Sequence, residues 1–187
     1  DIDLSNLNKL NYLRITESFY LETISGLENC KYLSDIQIEN NRRLDTFPTL
    51  NLDWVSNFSI INNPELLSMD VSNLGKKTSN IEIYLNGLES LQSVNAVFVG
   101  HNSDTRVGFA IYGCKSLLVD DVDTIIQQLA TSGKNVGFYT DKARSSDSDV
   151  AYDTLVNRGA YLNFGSEYFE SNEAKKSVVM YVDPSFG

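Results

Sequence analysis

The chain is poor in the residues that most site chemistry needs. Among its 187 residues there is one histidine, His101, and there are two cysteines, Cys30 and Cys114. A single imidazole removes most metal-binding and general-base arrangements. No Cys, Asp or Glu stands at ligand spacing from His101, which lies between Gly100 and Asn102 and reads as a loop residue. The two cysteines predict buried thiols rather than a disulfide or a metal pair. Basic residues are scarce as well: 15 against 25 acidic, a formal charge of −10. That argues against nucleic acid or an anionic membrane as the partner, since both need a positive face. No apolar run approaches membrane-spanning length, which predicts no membrane insertion. There is no phosphate loop, no Ser-His-Asp arrangement and no Cys-His motif, and no pair of acids is singled out for acid–base work. These absences predict a protein that is not an enzyme and that carries no cofactor or metal. The chain starts at Asp1 without Met, the start expected of a mature or excised piece, left by a removed signal or belonging to a larger parent chain.

What is present is a recurring apolar phrase. Leu10, Leu13, Ile15, Ser18 and Leu21 follow the same spacing as Leu33, Ile36, Ile38, Asn41 and Leu44. Val55, Phe58, Ile60, Asn63 and Leu66 follow it again. The central Ile moves from 15 to 38 to 60, steps of 23 and 22. A unit that short cannot bury its own apolar face, so units must stack. Within each phrase apolar and polar residues alternate, the period of a short strand. Asn41 and Asn63, turned inward, can bond the free backbone groups of neighbouring turns as a ladder. Cys114 falls on that same phrase position, behind Phe109 and Ile111. The stretch 73–106 is less regular. Ile81 and Ile83 predict a strand closed by Asn86, and 94–106 reads as an enlarged return segment or, alternatively, a local hairpin.

The style then changes. Val122, Ile125, Ile126 and Leu129 lie on one helical face, with Asp120 and Asp121 at its start and Ser132-Gly133 at its end. Asp120, Asp121 and Asp123 lack the spacing of a calcium loop, and helix capping explains them better. Val136–Tyr139 is the next strand. A second helix follows from Ser148 to Asn157 behind the loop and cap Ser145–Asp149, Gly159 stops it, and a strand runs from Ala160 to Phe164. A last β-rich segment, Ser177–Val182, is expected to cover the open end and to offer a route to homo-oligomers.

The phrase and its period resemble the leucine-rich repeat family over roughly residues 4–165. The stretches 117–129, 136–139 and 152–162 are similar to the helical C-terminal units of bacterial and bacteriophage members. The resemblance implies an α/β fold: a curved solenoid with a concave parallel β-sheet, short turns in the N-terminal units and helices in the C-terminal ones. It would form a single domain over 1–187. Residues 1–72 would be regular short repeats, 73–117 irregular repeats, 118–165 strand–helix repeats and 166–187 a cap. It also implies a non-enzymatic ligand-binding role toward a protein or surface glycan. The expected setting is extracellular, on a bacterial cell surface or a virion, as in a phage tail. The rival expectation is a structural or assembly domain of a larger surface or virion protein. A glycan-acting hydrolase with paired carboxylates ranks last.

Alternation places candidate ligand-contacting residues on the outer face of the sheet. Tyr12, Arg14, Asp35, Gln37, Glu39, Ile61, Glu82, Tyr84, Tyr112 and Tyr139 are the candidates. Aligning units by their central apolar residue puts Ile61, Tyr84, Tyr112 and Tyr139 in one column beside a shallow floor of Gly108, Ala110 and Gly137. Tyr presents a broad face and a hydroxyl at low entropic cost, which suits recognition of proteins and sugar rings. Cross-strand stacking alone would also favour it. Asn57-Phe58-Ser59 matches a glycosylation acceptor, but its mid-strand position argues against use.

Overall fold

The computed structural model describes residues 1–165. In chain order the strands begin with β1 (Ile2–Asp3), β2 (Tyr12–Thr16), β3 (Ile24–Ser25) and β4 (Asp35–Glu39). There follow β5 (Asn57–Ile61), β6 (Ser68–Asp70), β7 (Asn80–Asn86), β8 (Ser93–Asn95) and β9 (Arg106–Tyr112). Helix α1 (Val119–Ser132), β10 (Asn135–Thr140), α2 (Asp149–Asn157) and β11 (Tyr161–Asn163) complete the described chain. The result is a mixed α/β structure with one large parallel sheet. Its seven strands run β11-β10-β9-β7-β5-β4-β2, each beside the one nearest in sequence. Two small parallel pairs, β1-β3 and β6-β8, lie outside it. The expected strand at Ser177–Val182 and the expected cap fall outside the described residues.

Each strand of the large sheet buries one face. Leu13 and Ile15, Ile36 and Ile38, Phe58 and Ile60, Ile83 and Leu85, Phe109 and Ile111 all point into one apolar core. Full burial of such a side chain stabilises by about 1.5–3 kcal/mol. Phe109, Phe138 and Phe164 stack in line through it, at centroid spacings of 5.6 and 5.8 Å. The strands are parallel, so every connection must return behind the sheet. Residues 93–95 do this as β8, paired in parallel with β6; the reading of this stretch as a return segment holds, and the hairpin does not.

Between the first units an asparagine ladder closes the turns. Asn41 and Asn63 are fully buried. Asn63 Nδ2 donates to the carbonyls of Ile38 and Ile61 at 2.9 Å each, and its Oδ1 accepts from the Asn41 N–H at 3.1 Å. Asn41 Oδ1 accepts in turn from the Ser18 N–H at 3.1 Å. Beyond Asn63 the ladder stops. Asn86 is not its next rung: β7 pairs Asn86 with Ile61, and buried Leu88 follows in the rung position. Cys114 then takes it, its Sγ 3.4 Å from the Tyr112 carbonyl. Both cysteines are buried free thiols.

In the C-terminal units helices take over. Asp121 accepts the Leu118 N–H at 2.8 Å and closes the start of α1, and Gly133, at φ 70°, ends it. Gln128 Oε1 accepts from the Ala96 N–H and Ser132 Oγ from the Phe98 N–H, both at 2.8 Å. The match is geometric: four helical residues rise about 6 Å and two extended residues about 6.6 Å, so side chains four apart meet N–H groups two apart. A free edge beyond β8 is thereby covered. Asp123, expected to be a capping residue, is buried and ties the two helices instead. It accepts from the Ser145 N–H at 3.0 Å and from the hydroxyls of Ser145 and Ser148 at 2.5 Å.

His101 is not an ordinary loop residue. Its ring is buried, with Nε2 2.7 Å from the Leu74 carbonyl and Phe98 edge-on at 5.4 Å. Nδ1 is buried without a hydrogen-bond partner among the described residues. Burial pushes the imidazole below its ordinary value, and Lys134 and Lys76 push the same way. Lys134 Nζ also holds the loop by its carbonyls, at 2.9 Å from the oxygens of His101 and Asn102.

Candidate ligand-binding face

The outer face of the large sheet carries every candidate residue, and its columns differ from those expected. β7 starts two residues early, so Glu82 pairs with Asn57 and Tyr84 with Ser59. β10 is offset likewise: Gly137 pairs with Gly108 and Tyr139 with Ala110. A slip of two keeps each side chain on its own face, so alternation alone cannot detect it. The first column is therefore Tyr12, Asp35, Asn57, Glu82, Gly108, Gly137, Tyr161. The second is Arg14, Gln37, Ser59, Tyr84, Ala110, Tyr139, Asn163. The third is Thr16, Glu39, Ile61, Asn86, Tyr112. The single column of Ile61 and three tyrosines does not form. Instead Tyr84 and Tyr139 flank Ala110, and Tyr112 stands two residues beyond it on the same strand.

On β2, β4 and β5 the polar side chains satisfy one another. The Tyr12 hydroxyl donates to Gln37 Oε1 at 3.2 Å, and Asn57 Nδ2 to Asp35 Oδ1 at 2.8 Å. Arg14 lies 3.5 Å from Glu39 in an exposed ion pair. Such a pair contributes about 0–1 kcal/mol. Asp35, Glu39 and Glu82 do not gather: Glu82 lies on β7, beyond Asn57, and accepts from Asn80 Nδ2 at 3.0 Å.

On β7, β9 and β10 the face is aromatic over small residues. Tyr84 and Tyr112 are tilted 53° at a centroid distance of 6.3 Å. Asn86 Nδ2 donates to the Tyr84 hydroxyl at 2.9 Å, and no other hydroxyl of the three has a hydrogen-bond partner among the described residues. Gly108, Ala110 and Gly137 are contiguous as expected, but two of them are covered. The Glu82 carboxylate lies over Gly108, where a Cβ would collide with it, and the Tyr139 ring lies 3.2 Å from a Cβ built on Gly137. Ala110 is the floor left between the rings. Partial burial raises the Tyr112 hydroxyl above its ordinary value, and Tyr84, Tyr139 and Asp141 add to it in that order.

Sequence reasoning missed the row of left-handed residues that closes the strands. Glu17, Asn40, Asn62, Gly87 and Gly113 all have φ between 52° and 66°. Asn40 and Asn62 donate backbone N–H bonds to the carbonyls of Ile61 and Asn86 at 2.9 and 2.8 Å. At Gly113 the acceptor is the Asp141 carboxylate, at 2.9 Å. A Gly or Asn just after the strand is the signal at four of the five, since these tolerate the left-handed region, and Glu17 carries no such mark. This row borders a groove of about 540 Å³ lined by Glu17, Phe19, Asn40, Arg42, Asn62, Pro64, Gly87 and Glu89. A second cleft, about 320 Å³, lies between β6, β8 and α1, with Phe47, Asp70 and Asp121 in its wall. Both acids there are engaged, Asp70 with Ser72 and Asp121 with the start of α1. Among the described residues no three His, Cys, Asp or Glu side chains cluster as metal ligands would. No protein-family model, no curated protein and no solved structure matches this chain.

Proposed function

We propose that this chain is a non-enzymatic binding module of leucine-rich-repeat architecture, a curved solenoid holding a protein or glycan ligand on a concave sheet. The observation that carries the reading is the uneven outer face. Three tyrosines stand over small residues on β7, β9 and β10, while on β2, β4 and β5 Tyr12 pairs with Gln37, Asn57 with Asp35 and Arg14 with Glu39. Aromatic faces with free hydroxyls beside a small-residue floor suit ligand contact. The support for a binder over an enzyme is chemical: the one imidazole is buried against the Leu74 carbonyl, remote from that face. On the likeness to the bacterial and phage proteins, we place it outside the cell, on a bacterial surface or a virion.

The test is an array of bacterial surface glycans, surface proteins and whole cells. It is probed with the chain and with its Tyr84→Ala/Tyr112→Ala/Tyr139→Ala variant, both checked for fold by circular dichroism. Binding that the variant loses supports the reading, and equal binding by both refutes it.

One observation favours a second reading, a structural or assembly domain. β2 is the last strand of the large sheet, and no described strand pairs with its outer edge. A free edge of five residues is a template for another chain. Sedimentation of the chain would show a dimer or larger species on this reading, and a monomer on the first.

A further inference from the structure

We infer that the tyrosine patch takes a cationic side chain, so that its ligand is a protein segment bearing Lys or Arg rather than a neutral glycan. The inference rests on the proposed binding role of this face and names what it recognises. Tyr84 and Tyr139 pair with Ala110 from opposite sides, so they stand two strand spacings apart, roughly 9.6 Å. Tyr112 closes one end of the gap, 6.3 Å from Tyr84 between ring centroids. The Tyr139 ring leans back over Gly137, so the paired rings beside the Ala110 methyl are Tyr84 and Tyr112, and a cation within about 6 Å of a ring centroid is attracted by its negative face.

The surrounding charge is complementary to such a guest. Glu82, paired with Gly108, lies on the N-terminal side of the patch, and Asp141 lies beside Tyr112 on the C-terminal side. Of the groups that raise the Tyr112 hydroxyl beyond its burial, Asp141 is the one that carries a negative charge at neutral pH. Among the outward residues of β7, β9, β10 and β11 the one basic side chain is Arg106. It stands two positions before Gly108, on the far side of Glu82 from the rings. The whole chain, at −10, adds to the attraction. Arginine fits the gap better than lysine, because its flat guanidinium stacks on aromatic faces while donating to carboxylates.

The test titrates the full chain with three probes: the peptide (Arg-Gly)5, the neutral peptide (Gly-Ser)5 and chitohexaose. Amide shifts in NMR locate each site and isothermal calorimetry gives each affinity. The inference predicts that (Arg-Gly)5 moves the amides of Ala110, Tyr112 and Tyr139 and that the neutral peptide does not. Tyr84→Ala/Tyr139→Ala should weaken the arginine peptide by about 10-fold, and Tyr84→Phe/Tyr139→Phe, which keeps the ring faces, by no more than about 2-fold. Glu82→Gln/Asp141→Asn should weaken it several-fold, and the distant Asp35→Asn/Glu39→Gln pair much less. Ala110→Val fills the gap with a residue that strands favour, so its fold is not at risk, and it should also weaken binding about 10-fold.

Equal weakening by both acid pairs would mean diffuse attraction to a negative chain and would overturn the inference. So would failure of (Arg-Gly)5 to bind at millimolar concentration. Chitohexaose shifting the same amides while the arginine peptide does not would overturn the cation and leave the binding face standing. Shifts confined to other residues would overturn both.

Discussion

The two halves of the large sheet solve the same problem in different ways. From β2 to β5 the units are held by Asn41 and Asn63 inside and by paired polar side chains outside. From β9 to β11 helices α1 and α2 cover the core, and the outer face carries Tyr112, Tyr139 and small residues. The first half is closed inside and paired outside at Tyr12–Gln37, Asn57–Asp35 and Arg14–Glu39. The second is closed inside and open outside. Polar groups already paired with one another gain little from a ligand, whereas a ring with a free hydroxyl loses little on meeting one. On the proposed reading the contrast assigns stability to one half and recognition to the other.

The sharpest way to break that contrast is to remove a rung. Asn63→Ala takes the side-chain donor from the Ile38 carbonyl and leaves the Asn41 N–H buried without its acceptor, while the Ile61 carbonyl keeps the Asn40 N–H. Each orphaned group costs about 1–3 kcal/mol, so the loss should be roughly 2 kcal/mol or more, read by urea denaturation. Cys114→Ala, at the same position in the helical half, should cost far less, about 1 kcal/mol. Equal losses would erase the distinction.

Next in size is the helix-to-strand match. Gln128→Ala removes the acceptor for the Ala96 N–H and should cost about 1–2 kcal/mol, with faster amide exchange at residue 96 as the local readout.

His101 predicts a pH effect on stability. Its folded value is lowered, so below the ordinary value of 6.5 the unfolded chain binds the proton more readily than the folded one. Stability should be full above that value and fall as pH drops from it toward the lowered folded value. The slope is at most about 1.4 kcal/mol per pH unit, the limit for one proton. Denaturation midpoints measured across that window should flatten in His101→Gln.

The smallest effect is expected on the paired face. Arg14→Ala breaks an exposed ion pair and should change stability by under about 0.5 kcal/mol, within the error of a thermal melt.

Much of this was legible in the residues. The alternation at Ile36–Ile38 and Phe58–Ile60 marked strands and their buried faces, and the 3.6-residue spacing from Val122 to Leu129 with Gly133 marked α1. The ladder at Asn41 and Asn63 was legible because both stand at one phrase position. The columns were not. β7 and β10 slip by two, and a shift of two leaves the pattern of facing unchanged, so the sequence carries no local mark of it. Asn86 misled for the same reason, an Asn two residues before the buried rung that Leu88 fills. His101 could not be placed because its acceptor, Leu74, lies 27 residues away in sequence. Ser132 reads in the sequence only as the end of a helix and Gln128 carries no mark at all, and only the fold brings residues 98 and 96 to them.

The central claim is that recognition belongs to the tyrosine half of the face. The direct measurement is the affinity of two variants for one ligand recovered from the array. One variant is Tyr84→Ala/Tyr112→Ala/Tyr139→Ala and the other Tyr12→Ala/Arg14→Ala/Gln37→Ala. The account predicts that the first loses at least about 10-fold and the second stays within about 2-fold of the parent chain. Loss in the second with the first unchanged would contradict it.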